Sequence, residues 1–314
     1  MKDAYGRNIT YLRLSLTERC NLHCIYCRDG PQEPSSRELT PGEIDRIIGA
    51  MVSLGINKVR LTGGEPLMRE DLEEVVGIFR RHRDVRDLSM TTNAQGLRSR
   101  ARALKEAGLM RLNISLDSLR PDRYREITRG GDLGEVLAGI EAAADCGLGP
   151  IKLNCVTIRG KNDDEIDDFI ALAREKPVDV RFIELMPMGA SLPDDLRIRS
   201  REILDARSDL HRINSAYYGE PAETYTGTAY KGTVGFISPI SRRFCKECNR
   251  IRVTGDGKLR PCLGDNTERD LREALLRGDG ALRALIEDTV FHKPEGHHFK
   301  EGFVSQKTMN RIGG

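Results

Sequence analysis

Between residues 11 and 185 short period-two runs alternate with longer amphipathic stretches, and this pattern leaves the chain few folds to choose from. Residues 11–16, 58–61, 87–91, 111–116, 151–156 and 179–185 are predicted as strands. Residues 41–54, 70–82, 97–107, 133–146 and 163–174 are predicted as helices. The first helix opens at Thr40-Pro41-Gly42-Glu43, a capping-box Thr/Glu pair with proline in the first turn. Gly55, Gly108 and Gly147 stand where three of the helices stop. Strands separated by helices pair in parallel, so the class is α/β, either an open doubly wound sheet or a barrel, full or partial.

Side-chain parity selects among these. Leu12, Leu14 and Leu16 oppose Arg13 and Ser15, and Val59 and Leu61 oppose Lys58, Arg60 and Thr62. Leu88 and Met90 oppose Ser89, Thr91 and Asn93, and Leu112, Ile114 and Leu116 oppose Asn113, Ser115 and Asp117. Ile151 and Leu153 oppose Lys152 and Asn154, and Ile183 and Leu185 oppose Glu184 and Met186. The apolar set suits contact with crossover helices, and the polar set then faces a lumen. A closed eight-stranded barrel fills its interior with branched apolar chains. A polar lumen predicts a partial (β/α)6 TIM-like barrel, splayed enough for a ligand; the bland alternative is a sheet with one solvated face. The alternation ends near residue 200, which divides a partial barrel at 1–200 from a C-terminal region at 201–314. There, 232–237 and 250–254 read as strands, 270–277 and 281–291 as helices, and 192–199 and 217–230 as loop.

The loop after the first strand is Cys20-Asn21-Leu22-His23-Cys24-Ile25-Tyr26-Cys27. A closed zinc site takes four ligands, and so does a ferredoxin-type cluster. Three thiolates on a cubane leave one iron open to a cofactor or substrate. The bland reading is zinc with His23 as the fourth ligand. Eight cysteines in a chain without a signal-peptide core at residues 1–6 point to metal or redox chemistry in the cytoplasm. No apolar run approaches the roughly 20 residues that cross a bilayer, so no membrane partner is expected. Lys plus Arg number 50 against 48 Asp plus Glu, which argues against a nucleic-acid coat.

After the second strand stands Gly63-Gly64-Glu65-Pro66. Adjacent glycines let backbone approach a ligand closely. Their N–H and C=O groups, with Glu65, suit a zwitterionic amino-acid end. Together, the cysteine triplet and this motif resemble the radical S-adenosylmethionine (SAM) superfamily, in which an aromatic precedes the third cysteine, here Tyr26. The resemblance implies a [4Fe–4S] cluster on Cys20, Cys24 and Cys27 whose open iron binds SAM, and a reducing electron donor for its cleavage to a 5′-deoxyadenosyl radical.

A second triplet, Cys245-x2-Cys248-x13-Cys262, has the spacing of a zinc ribbon completed by His292, His297 or His298. Yet Arg250 and Arg252 stand beside it in an extended run and share a face. Paired guanidiniums favour phosphate, which a structural zinc site does not need. The run Phe244-Cys245 to Thr254, then Gly257-Lys258-Leu259-Arg260-Pro261-Cys262-Leu263, with Arg181-Phe182-Ile183-Glu184-Leu185-Met186 and the terminal Gly313-Gly314, resembles the MoaA family of GTP 3′,8-cyclases over the whole chain.

That resemblance implies a second [4Fe–4S] cluster on Cys245, Cys248 and Cys262 whose open iron meets the guanine of GTP. It assigns Arg13, Arg60, Thr91, Lys152, Arg250, Ile251 and Arg252 to GTP, with Arg252 also among the catalytic groups, and Tyr26, Gly64, Ser115 and Met186 to SAM. Arg13, Arg60 and Lys152 share the lumen parity, and that common face raises them above surface or ion-paired residues. Ser115 alone reads as small polar filler, Met186 as a core gap-filler and Thr91 as a strand-end cap. Cys146 and Cys155 read as small hydrophobes, and the three histidines as a solvated loop. The resemblance further implies a product passed to cyclic pyranopterin monophosphate synthase in molybdenum cofactor biosynthesis, no nucleic-acid partner, and admits a homodimer. One departure is Thr91-Thr92-Asn93-Ala94-Gln95-Gly96, where the family carries Thr-Thr-Asn-Gly; another is a short loop after Met186. The rival readings are a radical SAM enzyme acting on a peptide and a zinc-dependent nucleic-acid-binding module.

Overall fold

The structure, a computed structural model, describes residues 1–28, 30, 37–188, 192–214 and 219–313. Six strands, β1 (Tyr11–Ser15), β2 (Lys58–Thr62), β3 (Asp87–Thr92), β4 (Arg111–Ser115), β5 (Lys152–Thr157) and β6 (Asp179–Glu184), lie side by side in chain order, all parallel. The crossovers carry α1 (Pro41–Ser53), α2 (Leu72–Ile78), α3 (Leu97–Ala107), α4 (Pro121–Thr128), α5 (Leu133–Asp145) and α6 (Ile166–Glu175). The α1 cap is the expected box, with the Thr40 hydroxyl accepting from the Glu43 amide. Helix α4 was not foreseen, because eight residues with Tyr124 and Ile127 as the buried apolar pair give little periodicity to read.

The helices cover one face of the sheet. Leu12, Leu14, Val59, Leu61, Leu88, Met90, Leu112, Ile114, Leu153, Val180 and Phe182 are buried in that layer. Each such side chain stabilises the fold by about 1.5–3 kcal/mol when fully buried, which fixes the outward parity of every strand and hence what faces inward. In β6 the expected parity is inverted. Val180 and Phe182 enter the helix-side core, where Phe182 meets Phe169 edge-on at 6.2 Å and Phe236 at 5.6 Å. Arg181 and Ile183 line the lumen instead, and Glu184 is buried, accepting from the Ile240 and Ser241 amides at 2.9 Å each.

The C-terminal region continues the same sheet at both edges. β9 (Val234–Ile237) adds parallel to β6, followed outward by antiparallel β8 (Ala222–Thr226) and β7 (His211–Ile213). At the other edge β10 (Arg250–Val253) adds parallel to β1, followed by antiparallel β11 (Lys258–Arg260) and β12 (Arg269–Asp270). The order is β12-β11-β10-β1-β2-β3-β4-β5-β6-β9-β8-β7. Strands β7 and β8 occupy ground read from sequence as loop or left unread. Their mixed composition carries no apolar stripe, and their pairing is set by β9. The expected helices at 270–277 and 281–291 appear as Leu271–Arg277 and Asp279–Phe291.

Candidate active site

The two cysteine triplets lie at opposite ends of the lumen. Cys20, Cys24 and Cys27 follow the C-terminal end of β1, whereas Cys245 and Cys248 precede the start of β10, its parallel neighbour, and Cys262 follows antiparallel β11. All six thiols line one cavity of about 400 Å³. Between them run lateral rungs of the sheet. Arg250, Tyr11, Lys58 and Asp87 occupy one rung, and Arg252, Arg13, Arg60, Ser89 and Arg111 the next but one along the strands. Strand alternation puts both rungs on the inner face, nearer the second triplet.

Cations crowd these rungs. Burial, then the neighbouring guanidiniums of Arg252 and Arg60, hold Arg13 well below its ordinary range. Burial lowers Arg60 to about 10, and burial with the adjacent Arg250 lowers Arg252 to about 10. Arg250 stands over the Phe244 ring at 4.8 Å. Lys152 and Arg181 complete the cationic wall from the β5–β6 side. Such a wall, low in dielectric and rich in guanidinium, is suited to a polyanion.

The first cysteine loop is tied down on two sides. Tyr26 donates to Asp117 Oδ2 at 2.7 Å, and burial pushes the Asp117 carboxyl up to about 6 despite that bond. Gly63 and Gly64 run against the residues just before Cys20: the Gly64 amide donates to Thr17 O and the Glu65 amide to Arg19 O, both at 2.8 Å. A Cβ on Gly64 would lie 2.3 Å from the Arg19 carbonyl oxygen. These glycines are therefore required by the contact of two loops, whatever they also offer a ligand. The Glu65 carboxylate accepts from the Thr92 hydroxyl, the Asn93 amide and the Leu67 amide at 2.7, 2.6 and 3.0 Å, so it staples the end of β3 while it lines the cavity.

Each triplet holds its thiols within mutual electrostatic reach, Cys24 with Cys20 and Cys27, and Cys262 with Cys245 and Cys248. Burial pushes Cys20 up to about 12 and Cys27 up to about 11. Cys248 behaves oppositely: burial resists ionisation, but the charges of Arg250 and Lys293 override it and lower the thiol to about 6. Among the described residues no three His, Cys, Asp or Glu side chains converge on a point that one metal ion would fill. Of the histidines weighed for zinc, His292 holds Asp288 O at 2.9 Å and His298 pairs with Glu301, while His297 Nε2 holds Pro239 O at 2.8 Å and leaves Nδ1 buried. His297 is buried against Phe299 and lines the cavity, unlike the solvated residue read from sequence.

Of the assigned residues, Tyr26, Gly64, Ser115 and Met186 line the cavity toward the first triplet, and Arg13, Arg60, Thr91, Lys152, Arg250 and Arg252 line it as well. Ile251 does not. It sits between two lumen-facing arginines, so alternation turns its side chain into the helix-side core, where it is fully buried. The buried Thr62 Oγ1, Thr91 Oγ1 and Asn154 Oδ1 have no hydrogen-bond partner in the protein, as expected where a polar ligand completes a wall. The altered loop after β3 keeps its turn, because Ala94 itself takes the left-handed conformation at φ 61°. Sequence reasoning missed Arg111, which parity carried through the start of β4 would have found, Arg181, which the inverted parity of β6 hid, and Asp117 as the partner of Tyr26. Lys293, buried with its ammonium on Pro261 O, gave no such signal.

The C-terminal tail enters the same space. Ile312 is fully buried with Met188, Ile240 and Phe299, and Asn310 donates to Glu18 O at 3.0 Å. Arg252 then donates to Gly313 O at 2.6 Å. Gly313 is left-handed at φ 73°, and a Cβ there would lie 2.6 Å from Thr62 Oγ1. Gly314 and the loop at 189–191 fall outside the described residues.

Residues 14–173 match the family described as Radical SAM superfamily, and residues 178–299 that described as Molybdenum Cofactor Synthesis C. The GTP 3′,8-cyclase of Pelotomaculum thermopropionicum is 45% identical over 327 residues and that of Alkaliphilus oremlandii 46% over 321, with 100% of both chains covered in each case. Among solved structures, Streptococcus suis SuiB bound to precursor peptide SuiA superposes with a TM-score of 0.64 at 13% identity, over 92% of this chain and 66% of that one. SuiB bound to S-adenosylmethionine gives 0.62 at 14%, over 91% and 64%. At such identities these structures share the fold and no more.

Proposed function

The chain belongs to the radical SAM superfamily and, within it, to the GTP 3′,8-cyclases, and we propose that it converts GTP to 3′,8-cyclo-7,8-dihydro-GTP, the first step of molybdenum cofactor biosynthesis. In that conversion the hydrogen at ribose C3′ passes to the 5′-deoxyadenosyl radical, C3′ bonds to C8 of guanine as the C8=N7 double bond opens, and one electron from the low-potential reductant and one proton are taken up at N7. The observation that carries the reading is the lumen with a cysteine triplet at each end and cationic rungs between.

Cys20, Cys24 and Cys27 would hold one [4Fe–4S] cluster and Cys245, Cys248 and Cys262 a second, the first leaving an iron for SAM and the second for guanine. When bound and reduced, the first cluster with SAM supplies the 5′-deoxyadenosyl radical. The protein's own contribution is placement. Asp117 and Glu65 fix the loops that carry Tyr26 and Gly64 at the SAM end. Arg13, Arg60, Lys152, Arg250 and Arg252 neutralise the triphosphate, and Arg252 also anchors Gly313 beside it. Walls drawn from strands, cysteine loops and tail exclude water, which a carbon radical requires. Side-chain acid–base catalysis is not needed for hydrogen abstraction. Ile251 contributes through its backbone alone.

The ring closure classes the enzyme as a lyase. Oxygen-sensitive clusters and cysteines outside disulfides suit the cytoplasm, with a low-potential reductant as electron donor and cyclic pyranopterin monophosphate synthase as the consumer of the product; a homodimer is the proposed assembly. A peptide substrate would leave the cationic rungs without a counter-charge.

The test is anaerobic. Reconstituted protein should hold about eight irons per chain, as two cubanes require. Reductant and SAM should then yield 5′-deoxyadenosine at a rate that rises with GTP. No response to GTP would sink the cyclase reading, and about half the iron would sink the second cluster.

A further inference from the structure

Two acidic side chains stand inside the cationic wall: Asp87, a strand residue paired with Lys58 and Arg111, and Glu220, which comes from outside the parallel strands. Glu220 lines the cavity, and its Oε1 pairs with Arg181 Nη2 and lies 3.9 Å from Lys152 Nζ. Both cations are buried deeply enough that desolvation lowers them, and the nearby carboxylates oppose that shift. Asp179, the other acid at this corner, lies 3.1 Å from Lys152 and already accepts from the Thr233 hydroxyl at 2.7 Å within the sheet. Glu220 is the partner that belongs to neither β5 nor β6.

Its backbone is held on both sides. Gly219 is left-handed at φ 72°, and a Cβ there would meet Glu247 O at 2.8 Å and the Asn249 side chain at 2.9 Å, against the loop of the second triplet. Ala222, two residues on, is paired with Ile237. The carboxylate is thus delivered into the lumen from outside β5 and β6, and its side chain keeps 17% exposure.

We propose that Glu220 is a specificity-determining residue, an internal anion that occupies Arg181 and Lys152 until a phosphate of the nucleotide displaces it. The inference rests on the nucleotide reading above. A terminal phosphate carries nearly two negative charges and three acceptor oxygens, against one charge and two oxygens for a carboxylate, so the exchange favours the phosphate. A ligand without phosphate leaves the Glu220 pairs intact and gains nothing from these cations. Glu220 therefore weakens binding of every anion at this corner, and a weakly charged ligand loses most.

The holoenzyme, reconstituted anaerobically, is compared with Glu220→Gln and Glu220→Asp by equilibrium dialysis against GTP, guanosine and inorganic tripolyphosphate. Glu220→Gln should tighten GTP and tripolyphosphate by about tenfold, the effect of removing one competing buried charge pair, and leave guanosine unchanged. Glu220→Asp, which keeps the charge but withdraws it by one methylene, should tighten both anions by a smaller factor. It carries the test if the glutamine variant fails to fold. GTP binding that is unchanged or weaker in the folded variant overturns the inference and leaves the nucleotide reading standing. Tripolyphosphate tightened in Glu220→Gln, with no GTP binding by any form, supports the role of Glu220 and overturns the nucleotide reading instead.

Discussion

The Tyr26 hydroxyl and the Asp117 carboxylate are joined across 2.7 Å, and the second carboxylate oxygen accepts from the Val156 amide at 2.9 Å. One buried acid thereby connects the first cysteine loop to the ends of β4 and β5. Tyr26→Phe removes the donor and leaves a buried carboxylate oxygen unsatisfied, at a cost of about 1–3 kcal/mol. Chemical denaturation of the apoprotein should show that loss, and SAM should bind more weakly to the reconstituted variant. Unchanged values of both would remove the bond from any positioning role.

Arg252 is paired in register with Arg13, and Arg13 with Arg60. Arg252→Ala should weaken GTP binding by roughly ten- to a hundredfold, as loss of a buried phosphate partner does. Arg252→Lys should recover little, because a point charge cannot reproduce a fork that holds the Gly313 carbonyl and would reach a phosphate as well. Equal GTP affinity in the alanine variant would contradict the phosphate role.

Gly64→Ala places a methyl group 2.3 Å from Arg19 O, which backbone cannot yield cheaply. The two loops must part, and the expected result is lower iron retention at the first triplet together with a loss of about 2 kcal/mol or more in stability. Iron content after reconstitution checks it; full retention at native stability would show the loops to be pliable.

Glu65 gives a pH dependence of definite sign. Burial raises its carboxyl from 4.5 to about 7 against three hydrogen bonds that oppose the shift. The folded state therefore holds a proton that the unfolded state has released, so the contribution is complete below 4.5 and fades as pH rises through 7. The amount is on the order of 3 kcal/mol. In Glu65→Gln this dependence should vanish. The stability of wild type minus that of the variant should fall between those pH values in urea titrations; a rising difference would reverse the assignment.

Much of this was readable in advance where a residue's neighbours along the strand decide its direction. Leu12, Arg13 and Leu14 alternate without ambiguity, so the inner face of β1 followed at once. In β6 the same rule misled, because Ile183 looked like a core residue while Phe182, packed on Phe169, held the outward position. Ile251 was drawn into the substrate set by a motif that does not distinguish side chain from backbone. The structural bonds of Glu65 were not legible, because its partners, Thr92 and Asn93, stand at the end of the next strand and no local pattern announces them. Glu220 and Lys293 reach the lumen through long-range packing, which composition and spacing do not encode.

The sheet is completed out of order. Strand β1 is among the first elements to leave the ribosome, yet its outer neighbour β10 follows it by most of the chain; the bond from Asn249 to Thr10 spans 239 residues. Until then the nascent α/β unit carries a bare parallel edge at β1, with backbone groups open to any passing strand, whereas the edge at β6 is covered earlier by β9. Contacts so distant in sequence form slowly. The hazard of misassembly thus falls on the period before the second cysteine triplet exists, and the strand that ends it, β10, also brings Arg250 and Arg252 into the lumen. Edge protection and the arrival of these two guanidiniums are one event in the life of the chain.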